Sequence, residues 1–221
     1  MNEHPGNSLD AGWINRPGMT LERVCIAING RRLVDLSATV APGEIVTIMG
    51  ASGSGKSTLL AYIAGFLDPA FAARGNVILD GQSLLDIPTH ERHLGLMLQD
   101  DLLFPHLSVA GNLAFGLPRD AVDRQGDVAT ALEEMEMAGF GNRDPATLSG
   151  GQRARVSLMR TLLARPRALL LDEPFSKLDR ELRIQVRKFV FDTVRKRALP
   201  VLLVTHDTED AEQAQGTMFS L

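Results

Sequence analysis

The sequence predicts an α/β fold in which a mostly parallel sheet is combined with a small antiparallel β part and an inserted helical subdomain. Continuous apolar runs at residues 168–171 and 201–204 are typical of parallel strands buried on both faces. An Asn-Gly pair at 29–30 separates two strand-like segments and predicts an antiparallel hairpin. A β-branched run at residues 45–49, a glycine-rich turn and a helical segment follow one another, which is the order of an α/β unit.

The antiparallel part is predicted to come first along the chain. Segments 21–28 and 33–40 favour strands on either side of the Asn-Gly turn, and a Pro-Gly turn at 42–43 leads into the strand at 45–49. The helix after this strand carries apolar residues at i, i+4 and i+7, which predicts one face packed against a sheet. These residues are Leu59, Ile63 and Phe66.

Two shorter strands are predicted after this helix. Residues 77–79 precede an Asp-Gly turn at 80–81, and residues 94–98 form an apolar run that ends at Gln99. Prolines then become frequent, and residues 128–137 have helical spacing. The stretch from about 100 to 150 is therefore predicted to be a helical subdomain inserted in the core.

Two more helices accompany the apolar strands of the second half. The first precedes strand 168–171 and carries Val156, Met159 and Leu163 at core spacing, and the second covers residues 182–199. The second helix is rich in basic residues, which we interpret as a solvated face rather than a contact with nucleic acid. These residues are Arg183, Arg187, Lys188, Arg195, Lys196 and Arg197.

The composition excludes several classes of protein. A chain of 221 residues suffices for one sizeable domain, and its net charge of −4 gives no electrostatic reason to expect nucleic acid as a partner. The longest apolar runs are far shorter than the roughly 20 residues that a membrane-spanning helix needs. Residues 1–18 are polar and are predicted to be a disordered extension rather than a secretory signal. The single cysteine, Cys25, excludes an internal disulfide and suits a reducing cytoplasm.

The glycine-rich turn has the GxxxxGK[ST] pattern of a phosphate-binding P-loop. Its glycines let backbone N–H groups point at phosphate oxygens, and the helix that begins near Lys56 directs its positive end at the same anion. Lys56 would reach the β- and γ-phosphates of ATP, and the Ser57 hydroxyl would bind Mg²⁺. The alternative is a flexible turn without a ligand, which the flanking strand and helix disfavour. The predicted nucleotide-binding residues are Gly50, Ala51, Ser52, Gly53, Ser54, Gly55, Lys56, Ser57 and Thr58.

Two carboxylates follow the buried strand at 168–171. Asp172 would hold Mg²⁺ through its water shell, and Glu173 would orient or polarise the attacking water. Two acidic residues at a strand end could also form a simple turn. Because a P-loop is present in the same chain, we predict a metal ligand at Asp172 and a catalytic residue at Glu173.

A second anion-binding device lies at Ser149, Gly150, Gly151 and Gln152. Ser149 is a favourable N-cap, and the two glycines expose backbone N–H groups at the start of a helical run. With the P-loop, this Leu-Ser-Gly-Gly-Gln segment resembles the ATP-binding-cassette (ABC) family from about residue 19 onward. The resemblance implies an ABC-type P-loop NTPase core over residues 19–221.

The resemblance also assigns roles to several residues. In that family the Leu-Ser-Gly-Gly-Gln segment is the signature motif, which faces the γ-phosphate of ATP held by the other subunit of a head-to-tail dimer. Gln99 matches the Q-loop glutamine, which senses Mg²⁺ and the attacking water. Residues 176–179 match the D-loop, and His206 matches the switch histidine that contacts the γ-phosphate. The resemblance therefore implies Glu173, His206 and Gln99 as catalytic residues and Ser57, Gln99 and Asp172 around the metal.

Residues 103–109, with Asn112 after them, look like the segment found in importer subunits of the spermidine, ferric-iron, thiamine and sulfate type. The resemblance implies an ATPase on the cytoplasmic face of the membrane, acting with an integral membrane permease and an extracytoplasmic substrate-binding protein. The alternatives are an ABC exporter or lipoprotein-release ATPase, a soluble DNA-repair or translation-associated relative, and a nucleotide-binding module without turnover. The resemblance also implies that the permease and the binding protein choose the cargo, so this sequence does not identify it.

Two departures from the family pattern lead to further expectations. The aromatic residue that usually stacks on adenine has no counterpart near residues 28–30, and the guanidinium plane of Arg31 or Arg32 is the expected replacement. The chain reaches Leu221 soon after its last apolar segment, so no ligand-sensing domain is expected.

Overall fold

The computed structural model describes residues 17–221, and these form a mixed α/β fold with two sheets. The strands are β1 (Met19–Ile28), β2 (Arg31–Val40), β3 (Ile45–Met49), β4 (Phe71–Leu79), β5 (Gln82–Ser83), β6 (Leu94–Met97), β7 (Ala168–Asp172), β8 (Val201–Thr205) and β9 (Met218–Ser220). The helices are α1 (Lys56–Ala64), α2 (Val109–Gly116), α3 (Arg124–Glu134), α4 (Gly150–Leu163), α5 (Arg180–Lys196) and α6 (Thr208–Ala214). The extension expected over residues 1–18 lies outside the described residues, apart from its last two.

The first sheet is antiparallel, with strand order β2-β1-β4-β5. Asn29 and Gly30 both have left-handed backbone conformations, with φ of 50° and 77°. Asn and Gly tolerate these angles better than other residues do, and a two-residue turn of this kind matches the twist of the strands that it joins. The predicted hairpin is confirmed, and its second strand begins at Arg31 rather than at residue 33.

The second sheet is parallel, with strand order β6-β7-β8-β3-β9. The strands predicted at 45–49, 168–171 and 201–204 are confirmed as β3, β7 and β8, three neighbours in the middle of this sheet. The carboxyl ends of parallel strands lie along one edge of a sheet. The segments that follow β3, β6, β7 and β8 therefore share that edge.

Apolar side chains cover both faces of the parallel sheet. Leu169 and Leu171 belong to a core shared with α4 and α5, whereas Ala168 and Leu170 belong to a core shared with α1 and the antiparallel sheet. Successive residues of a strand point to opposite faces, so an unbroken apolar run is needed when both faces are buried. This explains the continuous apolar pattern of β7 and β8.

The apolar face predicted for the first helix is wrong at one position. Leu59 and Ile63 are fully buried, but Phe66 lies beyond the end of α1 and is 52% exposed. Gly65 ends the helix in a left-handed conformation with φ of 90°. Such a glycine is a frequent helix stop, and it turns Phe66 away from the face that periodicity assigned to it.

The helical spacing seen at 128–137 corresponds to α3, which begins and ends earlier in the chain. Asp123 caps α3 by accepting a hydrogen bond from the Gly126 N–H at 2.9 Å. Glu136, with φ of 59°, leaves the helical conformation soon after the last turn. The polar first turn of α3 has no apolar periodicity, which is why the pattern missed it.

The solvated basic face predicted for residues 182–199 is wrong for two of its six members. Arg187 and Arg197 are buried, and each forms an ion pair with a carboxylate from another helix. Arg187 lies 2.8 Å from Asp210, and Arg197 lies 2.7 Å from Glu134. Periodicity shows which residues share a helix face, but it does not show which neighbouring helix supplies a counter-charge.

Candidate nucleotide site

The P-loop forms the turn between β3 and α1. Gly53 and Gly55 have φ of 79° and 105°, which side-chain-bearing residues rarely adopt. A Cβ placed on Gly50 would lie 2.5 Å from Ser54 Oγ, so the loop closes tightly on itself there. Within the described residues, the buried Ser54 hydroxyl has no hydrogen-bond partner. An unpaired hydroxyl inside a loop of this shape is suited to an anion such as phosphate.

Lys56 places a buried positive charge inside the loop. Its ammonium group donates to the backbone carbonyls of Gly50 at 2.8 Å and Ala51 at 2.9 Å, and it lies 3.7 Å from Glu173 Oε1. The side chain is only 5% exposed. Two carbonyls orient this charge without neutralising it, which favours an anion at the mouth of the loop. Ser52 is exposed and Thr58 is half-buried, and they complete the predicted segment.

Ser57 and Asp172 bring two oxygen-bearing side chains together. Burial raises the pKa of Asp172, and the nearby Ser57 hydroxyl opposes that rise. Across residues 17–221 no three His, Cys, Asp or Glu side chains gather as a metal cluster. A hydroxyl and one carboxylate nevertheless fit Mg²⁺, which is commonly held by one or two carboxylates together with substrate phosphates.

Glu173 and His206 meet at the edge shared by β7 and β8. His206 Nδ1 lies 3.2 Å from Glu173 Oε1, and the imidazole is 59% exposed. Glu173 has a left-handed backbone with φ of 46°, and its N–H donates to the Val204 carbonyl at 2.9 Å. Strained backbone conformations of this kind are concentrated at functional sites. The arrangement holds a carboxylate beside Lys56, where it can accept a proton from water.

Gln99 follows β6 on the same edge of the sheet and is exposed. It lines a cavity of about 450 Å³ together with Gly150 of the signature segment and Lys177 of segment 176–179. The neighbouring Asp100 forms an ion pair with Lys177. The structure thus places Gln99 and the start of the signature segment around the same cavity.

The signature segment, residues 149–152, begins α4 with a capping box. The Ser149 hydroxyl accepts from the Gln152 N–H at 3.3 Å, and the Gln152 side chain accepts from the Ser149 N–H at 2.9 Å. A Cβ on Gly151 would lie 2.5 Å from Leu182, so a glycine lets α4 approach α5. Among the hydrogen bonds and ion pairs of residues 17–221, none joins this segment to the P-loop. The two predicted anion-binding segments of the chain are therefore not in polar contact with each other.

Sequence reasoning missed the polar contacts that hold these segments in place. The Asp101 carbonyl accepts from the Ser157 hydroxyl at 2.9 Å and from Arg160 at 3.3 Å, which ties the loop after Gln99 to α4. Arg183 on α5 donates to Asp207 at 2.6 Å, next to His206. Arg183 and Arg187 are spaced to share one face of their helix, and Asp207 and Asp210 are spaced to share one face of the next. This matched spacing is the sequence signal that could have predicted ion pairs between the two helices.

None of the helices within residues 17–221 combines the length and apolar character that crossing a membrane requires. The family model described as ABC transporter matches residues 33–176. An uncharacterized ABC transporter ATP-binding protein of Escherichia coli, YnjD, is 49% identical over 182 residues, which cover 81% of this chain and 84% of that protein.

Two further relatives are longer than this chain. The putrescine transport ATP-binding protein PotG of Escherichia coli is 40% identical over 205 residues, which cover 90% of this chain and 53% of that protein. The Fe(3+) ions import ATP-binding protein FbpC of Pseudomonas fluorescens is 44% identical over 182 residues, which cover 80% of this chain and 51% of that protein. The chain spans about half the length of both. Fold, P-loop and similarity agree: the chain belongs to the ABC transporter family and is one of its ATP-binding ATPase subunits.

Proposed function

We propose that this chain hydrolyses ATP to power substrate import through a separate membrane permease. The observation that carries the hydrolytic role is the convergence of Lys56, Glu173 and His206, since one carboxylate oxygen lies 3.7 Å from the ammonium and 3.2 Å from the imidazole. The names of PotG and FbpC, which are transport and import proteins, support the transport role.

The site residues divide the work of phosphoryl transfer. The backbone N–H groups of residues 50–58 and the Lys56 ammonium bind the phosphates, and Glu173 accepts a proton from the attacking water. His206 orients the Glu173 carboxylate and contacts the γ-phosphate. Ser57, Asp172 and Gln99 would hold Mg²⁺, which would offset the negative charge that develops on the phosphates.

A second copy of the chain would complete each site. In segment 149–152 the Ser149 and Gln152 N–H groups are used in the capping box, and those of Gly150 and Gly151 lie beside them at the start of α4. Among the described residues, no hydrogen bond joins this segment to the P-loop of its own chain. In a head-to-tail dimer, this segment would bind the γ-phosphate of ATP on the partner's P-loop. Two ATP molecules would then lie in the interface, so that binding closes the dimer and hydrolysis reopens it.

Exposed apolar side chains near Gln99 suit a membrane partner. Leu98 and Leu102 flank the loop, and Phe115 on α2 packs against Phe104 with ring centroids 4.5 Å apart and the rings tilted by 58°. Leu102 and Phe115 are more than half exposed. We assign this surface to a cytoplasmic segment of the permease, which places the chain on the inner face of the membrane. An extracytoplasmic binding protein would deliver the cargo to that permease.

Affinity capture tests the proposal. Glu173→Gln protein, with ATP present, would be recovered from detergent-solubilised membranes, and its companions would be identified by mass spectrometry. The matched control carries Leu102→Glu in addition. We expect a polytopic permease and an extracytoplasmic binding protein with the first protein and their loss with the second. A permease with no binding protein would favour an exporter, and a soluble partner or nucleic acid alone would contradict the transport role.

A further inference from the structure

Arg183 bridges two segments that flank Glu173 and His206, which are called the hydrolytic pair below. Its guanidinium donates to the Asp207 carboxylate at 2.6 Å and to the Leu178 carbonyl at 3.1 Å. Leu178 belongs to segment 176–179, and Asp207 directly follows His206. One side chain on the first turn of α5 thus joins the loop after Glu173 to the loop after β8.

These contacts form a closed ring that passes through the hydrolytic pair. The Ser176 hydroxyl donates to the Glu173 carbonyl at 2.9 Å, which fixes the start of segment 176–179. The chain then leads to Leu178, across Arg183 to Asp207, and back through His206 to the Glu173 carboxylate. Within residues 17–221, Arg183 is the member of this ring that reaches it from α5, and the remaining contacts of the ring join the two loops at Glu173.

The loop after β8, which carries His206 and Asp207 and is called the switch loop below, is also held by a second set of contacts. The Thr205 hydroxyl accepts from the Asp207 N–H at 3.0 Å and donates to the Asp210 carboxylate at 2.9 Å. Asp210 also lies 2.8 Å from Arg187, one turn along α5 from Arg183. The backbone around His206 is therefore fixed from one side by Thr205 and Asp210, and the bond from Arg183 to Asp207 sets its position relative to segment 176–179.

We propose that Arg183 is a positioning residue. By tying segment 176–179 to the switch loop, it holds the His206 imidazole at the correct distance and orientation relative to the Glu173 carboxylate. The inference rests on the hydrolytic roles proposed above for these two residues. A guanidinium suits this task because its fixed fork directs N–H groups at two acceptors at once, whereas a lysine ammonium is a single point charge on a flexible stem. Movement in segment 176–179 would then be transmitted to His206.

Steady-state kinetics of the full chain tests this role. Arg183→Gln, Arg183→Lys and Asp207→Asn would be compared with the wild type and with Lys188→Gln. Lys188 is the matched control because it forms an exposed pair with Asp192 on the same helix, at 2.6 Å. We expect kcat to fall about 10- to 100-fold in both Arg183 variants and in Asp207→Asn, the size of a small misplacement of reacting groups. The KM for Mg-ATP should stay within about twofold, since ground-state binding does not use these contacts.

A double variant separates a shared role from two independent defects. Arg183→Gln combined with Asp207→Asn should lose no more activity than either single variant, because both remove the same link. Asn remains a good helix N-cap, so Asp207→Asn supplies the test even where Arg183→Gln fails to fold. Unchanged kcat in a folded Arg183→Gln protein, or additive losses in the double variant, would overturn the proposal.

The same assay distinguishes this inference from the proposed function. Glu173→Gln is measured in parallel with the Arg183 variants. Turnover that is insensitive to Glu173→Gln would remove the proposed base and the inference with it. Loss of turnover in Glu173→Gln, together with normal kcat in Arg183→Gln, would leave the proposed function standing and overturn only the role of Arg183.

Discussion

His206 Nδ1 lies 3.2 Å from the same Glu173 oxygen that lies 3.7 Å from Lys56 Nζ. Lys56 begins the helix after β3, Glu173 follows β7, and His206 follows β8, which lies between the other two strands in the sheet. Residues that are far apart in the sequence therefore meet because three parallel strands end side by side. The carboxylate is shared between a fixed cation and an imidazole, which sets its position before any nucleotide binds.

Replacing Glu173 by Gln should nearly abolish turnover and leave ATP binding intact. The amide keeps the size of the side chain but cannot accept a proton from water, and general-base catalysis is worth about 10²- to 10⁴-fold. The protein should therefore accumulate as an ATP-bound closed dimer. Phosphate release, ATP affinity and the mass of the species in ATP would be measured, with the exposed Glu91→Gln as the control. Hydrolysis near the wild-type rate would show that Glu173 is not the base.

Replacing Gly151 by Ala should destabilise the protein. The new methyl group would lie 2.5 Å from Leu182 Cδ1, 2.8 Å from Leu182 Cγ and 3.1 Å from Val186, so either the Leu182 side chain must move or α4 and α5 must separate. Overpacking costs about 1–3 kcal/mol, which exceeds the gain of up to about 1 kcal/mol from better helix propensity. Denaturant unfolding would measure the difference.

A second glycine provides the matched control for this change. A Cβ on Gly141 would meet Leu132 at 3.4 Å and Ala110 at 3.5 Å, which are ordinary contact distances. Gly141→Ala should therefore change the free energy of unfolding little. Equal stability of the two alanine variants would argue against close helix contact as the reason for a glycine at 151.

Arg31→Ala and Arg32→Ala test how adenine is held. Both side chains are exposed at the start of β2, and the next residue, Leu33, lies beside the P-loop, since a Cβ on Gly55 would come within 3.0 Å of it. Arg32 already pairs with Asp35 at 2.5 Å, so we expect Arg31→Ala to weaken ATP binding more. Stacking of a cation on an aromatic ring is worth about 0.5–2 kcal/mol, or about 2- to 30-fold in Kd.

A ligand that lacks adenine provides the control for this test. ATP and inorganic triphosphate would be titrated into each variant, because triphosphate keeps the P-loop contacts and lacks adenine. Loss of affinity for ATP alone supports stacking. Unchanged ATP affinity in both arginine variants would remove the hypothesis.

The sequence predicted the strands and the P-loop well because their signals are local. The apolar run at 201–204 follows from burial of that strand on both faces. The Asn29-Gly30 pair follows from the left-handed backbone angles that its turn requires. The buried Arg187 and Arg197 were missed because their counter-charges lie on other helices. Phe66 was misplaced because α1 ends at Ala64, two residues before Phe66, and Gly65 then takes a left-handed conformation. Local patterns specify elements, whereas charge pairs between elements depend on packing.

The stability of the protein in acid should depend in part on Asp207. Burial by itself raises the pKa of Asp207, but hydrogen bonds from the Glu209 N–H and from Arg183, with the nearby positive charges, hold it below its ordinary value. A carboxyl with a lowered folded-state pKa binds protons more weakly when folded than when unfolded. Its contribution to stability is therefore present above the unfolded value of about 3.9 and is lost as the pH falls through the folded value.

Asp207→Asn should accordingly be less stable than the wild type at pH 7, and the difference should shrink on acidification. The neutral amide resembles the protonated carboxyl, so both proteins converge once Asp207 is protonated in the wild type. Thermal unfolding would be followed from pH 7 to about pH 3, with Asp192→Asn as the control because the ion pair that Asp192 forms among residues 17–221 is an exposed one with Lys188 on its own helix. Carboxylates that do not interact with Asp207 titrate equally in both proteins and cancel in the difference. Asp210 is the exception, because the charge of Asp207 helps to raise its pKa. A constant difference in Tm across this range would show that the bond from Arg183 does not favour the charged form of Asp207.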